Sequence, residues 1–264
     1  MTEVTSSFGT HLRTWRERRR LTQMELALRA NVSTRHLGFV ELGRSLPSRS
    51  LILRLAEDLD IPLRERNTWL LAAGYAPAFE DMLYKSPPSD LLRSAIEKII
   101  EAHKPYPAFA IDRNWDVILS NGALPGLYDG IDPSLLEPPV NVMRLTFHPR
   151  GLAPRILNYK EWAEHLLTRL RREFELSGDQ RLAGLLHEAE GLHNQSGMSV
   201  SKRVTNEHHA LALPLRIRSS LGDLSFFSTV TIFGTATDIT LSELALEMLY
   251  PADHETDALV RATL

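Results

Sequence analysis

The stretch ANVSTRHLGFVELGR, residues 30–44, decides how the first part of the chain folds. It opens as a turn and continues as a helix. Asn31 tolerates the left-handed backbone that ends one helix, and Ser33 is a good N-cap for the next. Gly43 stops that second helix and Pro47 prevents its continuation. Within it, Leu37 and Val40 face inward. Thr34, Arg35, Gly38 and Phe39 then share the outer face through i, i+4 neighbours. An Arg beside a Phe is a poor solvated surface and a worse core. It is a good contact surface: in a DNA major groove, Arg forks onto guanine and an apolar side chain meets a thymine methyl. Gly38 would let the helix come close to the DNA.

The flanking residues extend this pattern to five helices. Residues 7–20 carry Phe8, Leu12 and Trp15 on one stripe. Thr22-x-x-Glu25 is a capping box that starts the next helix, with Leu26 and Ala30 inward. Two short helices joined by a tight turn make a helix-turn-helix. Ser48 caps a fourth helix with Leu51, Leu55 and Leu59 inward, and Pro62 opens a fifth that Gly74 closes. Glu41, between Val40 and Leu42 near the end of a packed helix, needs a cation partner. The candidate DNA contacts are Ser33, Thr34, Arg35, His36 and Phe39.

Charge supports this placement. The formal net charge is −3, which argues weakly against nucleic acid, but the average hides an asymmetry. Residues 1–80 hold 12 Lys and Arg against 9 Asp and Glu, whereas residues 81–264 hold 18 against 24. The interval 11–54 carries 10 Arg against 3 Glu. Arg is the residue suited to bidentate phosphate and guanine contacts. A solvated basic face is the plain alternative.

Composition excludes much else. The chain has no Cys, so disulfides, thiolate metal sites and thiol nucleophiles are out. It has no apolar run of about eighteen residues, so no membrane span is expected. A cytoplasmic protein is the simplest reading. There is no phosphate-binding loop, no G-x-S-x-G and no H-E-x-x-H, so no enzyme is expected. His187, Glu188, His193, His208 and His209 match no standard metal-ligand spacing.

Composition shifts near residue 81, and Ser86-Pro87-Pro88-Ser89 marks a linker. The expected domains are residues 1–80, a linker 81–90, and residues 91–264. Residues 91–103 are an amphipathic helix. YPAFAIDRNWDVILSNGAL, residues 106–124, reads as strand 108–111, a turn at 112–114 and strand 115–120. Asn121, ending that strand, is placed to bond backbone. Residues 159–176 and 179–190 are helical. A hairpin follows, with strands near 209–218 and 224–233 around a turn at 219–223. A helix capped at Thr240 or Ser242 is expected to close the chain.

Residues 12–48 resemble the helix-turn-helix of the xenobiotic-response-element and phage-repressor class. Leu21-Thr22-Gln23, Glu25-Leu26-Ala27, Val32-Ser33, Glu41-x-Gly43-Arg44 and Pro47 carry the likeness. It implies a repressor-like helical domain in which Gln23 and Arg44 contact phosphates and Ser33, Thr34, Arg35 and Phe39 lie at the groove. It also implies a partly buried ion pair between Arg16 and Glu41. Residues 91–257 resemble the ligand-binding domain of MmyB-like regulators, through YPAFAIDRNWDVILSNGA (106–123), residues 140–173 and LSFFSTVTIFGTATDITLSELALEMLYPAD (224–253). That resemblance implies a PAS-like α/β domain, an antiparallel sheet with covering helices, holding an apolar small molecule such as a fatty acyl chain. A one-component bacterial regulator acting as a homodimer on a double-stranded DNA operator is the function implied, with no required cofactor.

The apolar residues that could line such a pocket are Phe109, Ile111, Trp115, Val117 and Leu119 on the first strands. Trp162 and Leu166 lie on the covering helix, and Phe226, Val230 and Ile232 on the last strands. Each is equally a core residue. Dimer contacts are expected beyond Asp81, since the first domain shows few spare apolar residues. The alternative function is a DNA-tethered domain whose second half binds a protein or carries an enzymatic activity. A closed apolar cavity favours the first reading and an open cleft of convergent titratable groups the second.

Overall fold

A computed structural model describes residues 7–81, 90–123, 127–195, 213–233 and 238–262. They form two compact units. The first contains helices α1 (Phe8–Arg18), α2 (Gln23–Arg29), α3 (Thr34–Glu41), α4 (Arg49–Asp58) and α5 (Leu63–Ala72). Their starts follow local chemistry. The Ser7 side chain accepts from the Thr10 N–H, Ser33 from His36 and Ser48 from Leu51, and Thr22 with Glu25 completes a reciprocal capping box. Asn31 takes φ 52° between α2 and α3, and Gly43 takes φ 68° after α3. Leu12, Trp15, Leu26, Leu37, Val40 and Leu55 meet in one core. At Gly9 the backbones of α1 and α3 come so close that an added Cβ would lie 2.4 Å from the Glu41 carbonyl oxygen.

The second unit starts with α6 (Asp90–Glu101), then β1 (Ala108–Ile111) and β2 (Val117–Ser120). α7 (Val142–Phe147), α8 (Tyr159–Ser177) and α9 (Gln180–Gln195) follow, then β3 (Leu215–Ser219) and β4 (Gly222–Ile232). β5 (Ala245–Pro251) and α11 (His254–Arg261) end it. The five strands form one antiparallel sheet in the order β2-β1-β5-β4-β3. The core includes Ile111, Trp115, Phe147, Trp162, Ile217 and Phe226. Asn121 is 1% exposed and is a knot for the chain after β2. Its Nδ2 donates to the Ile100 and Tyr106 carbonyls, and its Oδ1 accepts from the Ala108 and Ala123 N–H groups.

One expectation is overturned. Residues 245–251 are not part of a closing helix; they are the central strand of the sheet, between β1 and β4. Leu246 and Leu249 have helical spacing and the segment is rich in helix formers, but pairing on both edges outweighs that local preference. The helix expected there is reduced to α10 (Ile239–Ser242), and α11 closes the described chain. α10 groups with the first unit, so the second is not contiguous in sequence. The Ile239 N–H donates to the Glu80 carbonyl at 2.9 Å. The 115–120 strand is shorter than expected, because Trp115 belongs to the preceding turn. Residues 82–89, within the expected linker, and residues 209–212 of the expected hairpin lie outside the described residues, as do His208 and His209.

Candidate functional site

The outer face of α3 is laid out by its inner face. Leu37 and Val40 are each 1% exposed, which turns Thr34 and Arg35 outward and leaves Gly38 and Phe39 half-buried. The Arg35 guanidinium carbon lies 5.4 Å from the centre of the Phe39 ring. That is a cation–π pair, which holds Arg35 along the surface without using its donors. His36 is half-buried on the same helix, and Ser33 is occupied as the cap.

Behind that face is a built ion pair. Arg16 Nε donates to Glu41 Oε1 at 2.6 Å and Nη2 to Oε2 at 3.1 Å, while Nη1 donates to the Leu21 carbonyl at 2.8 Å. The Glu41 side chain is only 3% exposed. Gln23 Nε2 also donates to Glu41 Oε2 at 2.8 Å, so its amide is turned inward onto α3. The group ties α1, the start of α2 and the end of α3 together. Removing one partner of such a buried pair costs about 3–5 kcal/mol.

The Arg surplus divides into two groups. Arg19 donates to the Leu59 carbonyl and Arg54 to the Ala30 carbonyl, so with Arg16 they serve the fold. Arg13 pairs with Glu17 at 2.8 Å. Arg20, Arg29, Arg35, Arg44 and Arg49 are exposed. Arg44 follows Gly43, with its N–H bonded back to the Phe39 carbonyl at 2.8 Å, and so projects from the end of the helix that carries Arg35.

The second unit contains an apolar cavity of about 80 Å³ between the sheet and α7–α8. Of the apolar residues expected at a pocket, Phe109, Trp115, Val117, Trp162 and Leu166 line it. Ile111 and Phe226 are buried in core beside it, and Leu119 is half-buried on β2 without reaching it. Val230 and Ile232 do not line it either: at 45% and 69% exposed, they lie where β4 has run past the core. Alternation puts Phe226, Ser228, Val230 and Ile232 on one face of β4, but the cavity ends at Ser228 on that face.

Trp115 reaches the cavity by an unusual backbone. Its φ is 65°, a conformation that a bulky residue adopts only when its surroundings impose it. Asp112 Oδ1 accepts from the Asn114 and Asp116 N–H groups at 2.8 and 3.0 Å and closes the turn. The indole N–H donates to Glu173 Oε2 at 2.8 Å.

Sequence reasoning missed the polar end of the cavity. Arg169 on α8 and Glu247 on β5 both line it and form an ion pair. Arg169 Nε also donates to Glu173 Oε1 at 3.1 Å, and its guanidinium lies 4.5 Å from the Trp115 ring centre. Burial pushes the Glu247 carboxyl up, against the pull of Arg169. Burial works to lower Arg169, but Glu247 and Glu173 outweigh it and hold the guanidinium above its usual value. His165 is pushed down by burial and then by Arg169. Burial alone lifts the Tyr128 hydroxyl to about 12. The one available signal was the charge at Glu247 inside an apolar run, which is easily taken for the polar face of a helix.

Elsewhere, His193 packs against Phe147 and Tyr159. Among the described residues no three His, Cys, Asp or Glu side chains converge as a metal site. Among them, too, no helix is long and apolar enough to cross a membrane.

A helix-turn-helix with an outward Arg-bearing helix, and a sheet domain with an apolar cavity, define a DNA-binding transcription regulator that has a ligand-binding domain. Residues 7–69 match the helix-turn-helix domain model, and residues 92–262 match the MmyB-like transcription regulator ligand binding domain. The chain belongs to the MmyB-like transcription regulators. No match was found among curated proteins.

Proposed function

We propose that this regulator binds its operator as a homodimer, reads bases from α3, and changes operator affinity when an apolar small molecule occupies the cavity. The observation that carries this reading is the cavity itself, walled by Phe109, Val117, Trp162 and Leu166. Its apolar lining suits a small hydrophobic ligand. A fatty acyl chain is one occupant of suitable shape. No cofactor is needed for such a cycle. The ligand acts only through a difference in its affinity for the two states of the protein.

The test is extraction of the purified full-length protein followed by mass spectrometry, alongside Ser228→Trp. Ser228 lines the cavity from β4, so a larger side chain there fills existing space instead of overpacking the core. The variant should stay folded, carry no small molecule and lose effector response. A wild type that neither retains nor binds any apolar molecule would show that the space is a packing defect.

A further inference from the structure

The polar end of the cavity is rich in carboxyl groups. Among the described residues Arg169 is the one guanidinium that lines it, and it pairs with two carboxyl groups, Glu247 in the cavity wall and Glu173 beside it. Glu247 is 6% exposed and sits on the central strand, opposite Phe109 on β1. Its Oε1 takes the Arg169 bond, whereas among the described residues its Oε2 accepts no hydrogen bond. His165 also lines the cavity, and burial and Arg169 both disfavour its charged form. Glu247 Oε2 is not closed off by protein, so it can accept from a donor that a bound molecule brings into the cavity. Aromatic walls sit around it: Phe109, Tyr128 and Trp162 line the same space. Ring faces attract a desolvated cation. A carboxylate head would meet the opposite environment, two like charges sharing a single guanidinium.

We propose that the cavity receives a hydrophobic amine, with its protonated nitrogen on Glu247 Oε2 and its apolar body among the aromatic walls. This rests on the reading that the cavity holds a small molecule, and it specifies that molecule's head group. Glu247 is the residue that recognises the head, and Arg169 positions Glu247 from α8.

The experiment is calorimetric titration of the full-length protein with octylammonium, 1-octanol and octanoate, at one neutral pH and below the concentrations at which they aggregate. The three share a chain and differ only in the head. Octylammonium should bind tightest, at least tenfold over octanol, a difference of about 1.4 kcal/mol. Octanoate should bind weakest. Glu247→Gln should abolish most of the octylammonium advantage and leave octanol binding nearly unchanged. Should that variant fail to fold, the wild-type rank order decides alone. Octanoate or octanol binding as tightly as octylammonium would overturn the amine assignment while leaving an apolar cavity in place. Binding of octylammonium unchanged by both Glu247→Gln and Ser228→Trp would place the amine elsewhere and overturn it too. No binding by any of the three would remove the apolar-ligand reading itself.

Discussion

Gly9 and Gly38 look alike in the sequence, each a glycine inside a helix of the first unit, yet their surroundings separate them. A Cβ on Gly9 would strike the backbone of α3, 2.4 Å from the Glu41 oxygen and 2.7 Å from that of Val40. Backbone cannot swing aside as a side chain can. Gly9→Ala should therefore destabilise the first unit by about 1–3 kcal/mol or more, measured by chemical denaturation. A Cβ on Gly38 would meet only the Gln23 side chain, at an ordinary 3.6 Å. A helical glycine with no internal packing reason gives away about 0.5–1 kcal/mol relative to Ala. Gly38→Ala should raise stability by about that much and weaken operator binding, because the extra methyl stands between α3 and the groove. An Ala variant that binds DNA unchanged would show that α3 makes no close approach there. Arg35 and Arg44 divide the same surface. Arg35→Ala should lose roughly 1–3 kcal/mol at one base position. Arg44→Ala should weaken all sequences alike and flatten the salt dependence. Equal, sequence-independent losses in both variants, measured by fluorescence anisotropy against mutated operators, would refute that division.

Helices whose boundaries depend on their own ends were legible; the element held from both sides was not. The caps at Ser33, Thr22 and Ser48 and the turn at Asn31 are written within a few residues, and the structure has each of them. The need of Glu41 for a cation was legible for a related reason, since a carboxylate in an apolar helix demands one, while Arg16 as its partner came from the family resemblance. β5 has no such local mark. Its identity comes from β1 and β4, whose pairing residues lie far off in sequence. Gly9 and Glu247 were missed on the same ground, because what makes each special is a distant backbone or a distant guanidinium. At this scale the segment after α5 offers a test. Asn67 accepts from the Ala78 and Phe79 N–H groups at 2.8 and 3.1 Å and donates to the Phe79 carbonyl at 2.7 Å. The next carbonyl, Glu80, takes the Ile239 N–H. Asn67→Ala should leave α1–α4 protected while hydrogen exchange accelerates at Ala78, Phe79 and Ile239 together. Unchanged exchange at Ile239 would mean that α10 is held by its apolar contacts and not by this bonded segment.

For the whole molecule, the dimer and the ligand switch are the open quantities. The expectation that dimer contacts lie beyond Asp81 rested on a first unit with few spare apolar side chains. That premise fails: Leu28 and Leu46 are each 82% exposed, Met24 69%, Leu42 63% and Leu71 60%. The first unit has apolar surface to offer a second copy, so the location of the interface is no longer confined by composition. A homodimer is still the expected binding form, since one helix-turn-helix reads too few bases for a specific site and this class pairs half-sites about one helical turn apart. Native mass spectrometry with an operator duplex should show two chains per DNA, and a stable one-to-one complex would contradict it. The switch itself has a thermodynamic signature that needs no knowledge of the path between cavity and DNA. If a cavity ligand changes operator affinity by some factor, operator DNA must change ligand affinity by the same factor, because both measure one coupling free energy. Couplings of this kind are typically about 5–150-fold. In sequence, α10, which groups with the first unit, lies between β4 and β5, the strands that border the cavity. Octylammonium affinity should therefore shift by at least about fivefold when saturating operator is added. Operator affinity should shift equally, and in the same direction, when saturating octylammonium is added. If the ligand binds with the same affinity with and without DNA, the cavity is occupied but not coupled, and control of this regulator lies elsewhere.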